Sequence, residues 1–72
     1  MKLPDELAPP LWLRADGRPL ACVEKIRVLD DNYRELTQML RDALEDGILL
    51  GCAESGLRAA LHDLVDSVRP GF

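Results

Sequence analysis

From Cys22 onward the apolar positions recur at spacings that alternate between four and three: Cys22, Ile26, Leu29, Tyr33, Leu36, Leu40, Ala43, Gly47 and Leu50. That rhythm is a heptad seam along one side of a helix. Val28, Met39, Leu44, Ile48 and Leu49 widen it, and a wide apolar stripe suits a bundle helix better than a two-stranded coiled coil. No proline interrupts the stretch, and good helix formers dominate it. The pattern predicts a long helix over about residues 20–50, with Pro19 in its first turn, where its missing donor costs nothing. Such a rod is about 45 Å long.

The polar side of this helix carries charge pairs three or four residues apart: Asp30 with Arg34, Arg41 with Glu45, Glu24 with Arg27, and Asp31 with Arg34. Each contributes only about 0.2–0.5 kcal/mol, and together they mark a solvated face. Asp42, Glu45 and Asp46 oppose the helix dipole near its C-terminus, so packing of Ile48, Leu49 and Leu50 is expected to hold the last turn. Gly51 then supplies a left-handed cap.

A second, shorter helix is expected over about 53–69. Leu57, Leu61, Leu64 and Val68 line one face, Ala60 and Val65 broaden it, and Pro70-Gly71 ends it. The short connection makes the two helices an antiparallel hairpin. Residues 1–18 form an N-terminal arm, extended through Pro4, Pro9 and Pro10, with room for one turn around Asp5 to Ala8. Beyond it Asp16-Gly17 signals a turn. Leu11–Arg14 and Arg18–Ala21 then read either as a short hairpin or as irregular chain whose Trp12 packs on the helices. The fold class is all-α: a helical hairpin with an arm.

The unequal helix lengths bear on quaternary structure. The second helix matches only the C-terminal half of the first, so Cys22, Ile26 and Leu29 lack an intrachain helix opposite them. The arm and a second subunit are the two available covers. At 72 residues the chain buries only about 60% of its extended surface and is marginal without a partner. The expected assembly is a homodimer in which two hairpins make a four-helix bundle, with Cys22, Ile26, Leu29, Tyr33, Leu36 and Leu40 at the interface. In it, Ala43 and Gly47 mark close backbone approach. Leu11, Trp12 and Leu13 form a candidate surface for one further protein partner.

Charge and chemistry narrow the function classes. The formal net charge is −4, and acids interleave with the Arg27, Arg34 and Arg41 row. That disfavours nucleic acid and anionic membrane as partners. No apolar run spans a bilayer, and the first residues, with acids and prolines among them, do not read as a signal peptide, so cytoplasmic residence is the default. Cys22 and Cys52 lie too far apart along a continuous helix for an intrachain disulfide. They read as reduced thiols, with an interchain redox link as the alternative. His62 has Asp63 beside it and Asp66 one turn on, but no nucleophile at a useful spacing. The chain has no CxxC pair, no ExxH pair and no phosphate-cradling glycine motif, so neither a metal nor another cofactor is expected. The sequence therefore points to a small non-enzymatic interaction or regulatory protein. An accessory subunit or thiol switch using Cys22 and Cys52 is the second reading, and a weak nucleic-acid binder the third.

Overall fold

The computed structural model describes residues 8–72. Two helices follow the arm, α1 over Val23–Leu49 and α2 over Glu54–Ser67. By internal contacts the chain divides into two compact units, Met1–Met39 and Leu40–Phe72, with the boundary inside α1. The turn expected around Asp5 to Ala8 lies mostly outside the described residues.

The first unit joins the arm to the N-terminal part of α1. Arg14 and Arg18 pair through the Arg14 N–H and Arg18 carbonyl at 2.7 Å, and the Leu20 N–H donates to the Trp12 carbonyl at 2.9 Å. Between them Leu13 and Pro19 form one antiparallel bridge. Gly17, at φ +87°, turns the ribbon with a residue free of the left-handed penalty. The Asp16 carboxylate accepts from the Arg18 N–H at 3.0 Å and pairs with Arg14 at 2.9 Å. The arm is thus a minimal hairpin-like ribbon. A ribbon this short needs an anchor, and Trp12 provides it by packing on α1.

This arrangement corrects the expected start of the long helix. Pro19 is the bridge partner of Leu13, so α1 begins at Val23 instead of about residue 20. The donor that proline lacks is spared at the ribbon edge, not in a helical first turn.

In the second unit the C-terminal part of α1 packs against α2. The connection is a Schellman end: the Gly51 N–H donates to the Ile48 carbonyl at 3.0 Å, and the Cys52 N–H to the Gly47 carbonyl at 2.9 Å. Gly51 takes φ +102°, the left-handed cap expected of it. Leu49 and Leu50 are each 84% exposed, so packing of these residues does not hold the last turn. Backbone hydrogen bonds do, and they compensate for the misplaced acids. α2 starts after Ala53, whose extended backbone has the geometry of a cap but whose side chain makes no cap bond. Glu54 in the first turn pairs with Arg58 one turn on, at 2.8 Å. The helix stops at Ser67, two residues short of the expected end, where Val68 turns extended ahead of Pro70. A residue before proline avoids helical geometry, and here the departure starts one residue earlier still.

Candidate functional site

Trp12 is the centre of the first unit. Its indole Nε1–H donates to Asp30 Oδ1 at 2.7 Å, and its ring meets Tyr33 edge-on with centroids 5.9 Å apart. Asp30 and Tyr33 stand three residues apart on α1 and so share a face. Ile26, Leu29, Asp30, Tyr33 and Thr37 are half-buried along that face, as are Pro9, Trp12 and Leu20 in the arm. Thr37 turns its hydroxyl back to the Tyr33 carbonyl at 2.7 Å. Asp30, read from sequence as the helix partner of Arg34, takes the indole instead, and Arg34 stands 4.0 Å from Asp31.

The expected interface residues therefore divide. Ile26, Leu29 and Tyr33 are half-buried, whereas Cys22, Leu36 and Leu40 are exposed. Of the arm cluster, Trp12 is engaged with α1, while Leu11 and Leu13 are 72% and 59% exposed. Extended backbone alternates its side chains, so the engaged and free residues fall on opposite sides of the arm.

In the second unit, Leu40, Leu44, Leu61 and Val65 form the floor of an open groove of about 250 Å³, edged by Arg58, His62 and Asp66. Sequence spacing placed these leucines on facing helices but gave no sign that the seam between them stays open. Leu57 packs over Gly47 at the closed end, near the connection. The close approach expected at Gly47 is thus made to α2 of the same chain.

Arg58 is held by Glu54 through Nε and Nη2, both at 2.8 Å. Ser67 donates its hydroxyl to the Asp63 carbonyl on its own helix at 2.7 Å. His62 lies at the rim and is exposed. An apolar floor with a charged edge suits docking of an apolar side chain. Cys22 and Cys52 are both free thiols and both exposed. Among the described residues no group of three or more His, Cys, Asp or Glu side chains is placed to hold a metal ion, and no helix is long and apolar enough to cross a membrane.

No protein-family model matches the chain, and no curated protein or solved structure matches it either.

Proposed function

We propose that the chain is a non-enzymatic interaction protein that works as a homodimer of helical hairpins. One observation carries this reading: not one described residue is buried. Leu36, Met39, Leu64, Val65 and Val68 are each more than half exposed, and even Leu40 is 41% exposed. A helix pair is one packed layer, and stable domains need a second to bury the opposed stripes.

The groove over Leu40, Leu44, Leu61 and Val65, continued by Leu64 and Val68, is the natural place for the second hairpin. Leu40 of the expected interface lies in it and is 41% exposed. Sedimentation equilibrium tests this reading: twice the 8.0 kDa chain mass at micromolar concentration is expected. A monomer that persists to millimolar concentration overturns it.

A second reading rests on the two exposed thiols. In it, the thiols of Cys22 of one copy and Cys52 of the other pass two electrons and two protons to a disulfide or peroxide oxidant and become a disulfide, and the chain acts as an accessory subunit or a thiol switch. Peptide mapping of oxidised protein under nonreducing conditions decides it, and the absence of a Cys22–Cys52 crosslinked peptide overturns it.

A further inference from the structure

The α2 side of the groove is bordered by a row at steps of four, Glu54, Arg58, His62 and Asp66, and all of them are exposed. Arg58, His62 and Asp66 line the groove itself, while the residues α1 contributes to it, Leu40 and Leu44, carry no charge. Arg69 extends the row. Its guanidinium folds back on the last turn, donating to the Asp66 carbonyl at 2.8 Å and to the Val68 carbonyl at 3.3 Å, so its charge sits at the C-terminal end of α2. Along the helix the signs therefore run negative, positive, histidine, negative, positive. Read from the other end, every sign is exchanged. Asp63 is the one other charged residue of α2. Successive helical residues point about 100° apart, so Asp63 lies on the side of the row away from Leu61 and the groove.

We infer that the groove takes α2 of a second copy, running antiparallel, with a two-fold axis beside His62. This inference rests on the homodimer reading above and names the element and the direction which that reading leaves open. A two-fold interface needs a patch complementary to itself, and this edge is one only when the copies run antiparallel. The axis sets Arg58 against Asp66 of the partner, and Asp66 against Arg58 of the partner. It sets Glu54, in the first turn, against the charge that Arg69 holds at the partner's last turn, again twice by symmetry. His62 meets its own counterpart. A parallel copy stacks acid on acid and base on base along the whole edge. Arg58 keeps its own Glu54 at 2.8 Å. The partner's Asp66 adds a second carboxylate to that guanidinium, which has donors enough for both. Exposed pairs of this kind fix direction and register more than they add affinity. Affinity comes from covering Leu61 and Val65 beside the row, Val65 being 68% exposed.

Cysteine crosslinking of the full chain tests the direction. Both native thiols are exposed, so Cys22→Ser and Cys52→Ser give a silent background, with oxidised glutathione as the oxidant. Arg58→Cys and Asp66→Cys chains, mixed in equal amounts, are expected to yield the mixed disulfide in excess over either homodisulfide. His62→Cys is expected to crosslink to its own copy, and Asp63→Cys, one residue on, is expected to crosslink far more slowly. Sedimentation equilibrium at low salt tests the charges. Asp66→Lys sets a lysine against the partner's Arg58 twice and is expected to weaken dimerisation about three- to tenfold. It also places a base near the C-terminus of α2, which favours that helix, so a loss of dimer does not reflect a damaged fold. Circular dichroism checks this directly. Homodisulfides at 58 and at 66 in place of the mixed product overturn the antiparallel direction. Crosslinking at 63 as fast as at 62, or a dimer unaffected by Asp66→Lys, overturns this surface and leaves the homodimer reading standing. A parent chain that is monomeric throughout overturns both.

Discussion

Leu57 occupies the space that a side chain at Gly47 would need: a Cβ built at Gly47 stands 2.5 Å from Leu57 Cδ2 and 3.1 Å from its Cγ. Replacing Gly47 by alanine improves helix propensity by about 1 kcal/mol. It also forces Leu57 off its position, and overpacking of this kind costs about 1–3 kcal/mol. The overlap is expected to win, with Gly47→Ala less stable than the parent by about 1 kcal/mol in urea denaturation. The cycle with Leu57→Ala checks the cause: in that background Gly47→Ala is expected to stabilise. Destabilisation of equal size in both backgrounds would show that Leu57 is not the obstacle.

Gly51 holds the Schellman end with φ +102° and open space around its Cα. Alanine there meets no neighbour and pays only in backbone strain. Gly51→Ala is expected to lower stability by about 1–2 kcal/mol, measured by thermal melting. No loss would mean that the Gly47 and Ile48 carbonyls do not depend on the left-handed turn.

Ala53 offers the reverse opportunity. It stands at the N-cap of α2 with φ −73° and ψ 137°, suitable for capping, yet contributes no side-chain acceptor. Ala53→Asp is expected to raise stability by about 0.5–2 kcal/mol, helped by the helix dipole. The gain should appear as a rise in the denaturation midpoint with an unchanged slope. An unchanged or lowered midpoint contradicts the assigned start of α2.

The indole–carboxylate bond between Trp12 and Asp30 spans eighteen residues of sequence and ties the arm to α1. Asp30→Ala removes a charge-assisted acceptor at a half-buried site and is expected to cost about 1–2 kcal/mol. Asp30→Asn keeps an oxygen acceptor and should lose less. Hydrogen exchange at the Leu20 amide, which donates to the Trp12 carbonyl, reports whether the arm has come away. Protection of that amide unchanged in Asp30→Ala would show that the bond does not hold the arm.

The helices were legible because periodicity, glycine and proline are local signals. Gly51 marked the end of α1, and the apolar steps placed Leu57 and Leu61 on the face of α2 that the structure half-buries. The start of α1 at Val23 is not legible locally, because Pro19 suits a helical first turn and a ribbon edge equally well. Only its pairing with Leu13 distinguishes the two. The partner of Trp12 was hidden for a similar reason. Asp30 has a plausible helix neighbour in Arg34, and nothing local says that an indole from the arm takes its carboxylate. The apolar groove was half visible: the residues on its floor were named from spacing, but their degree of exposure follows from packing and not from pattern.

Trp12 is the only tryptophan in the chain, and it stands at the joint between arm and helix. The joint therefore carries its own optical gauge. Undocking moves the indole from a carboxylate and an aromatic edge into water, which shifts its emission to the red, while the far-ultraviolet dichroism reports α1 and α2. Two signals from one unlabelled chain thus separate release of the arm from melting of the helices, and the gap between their midpoints measures how far the arm is a latch of its own.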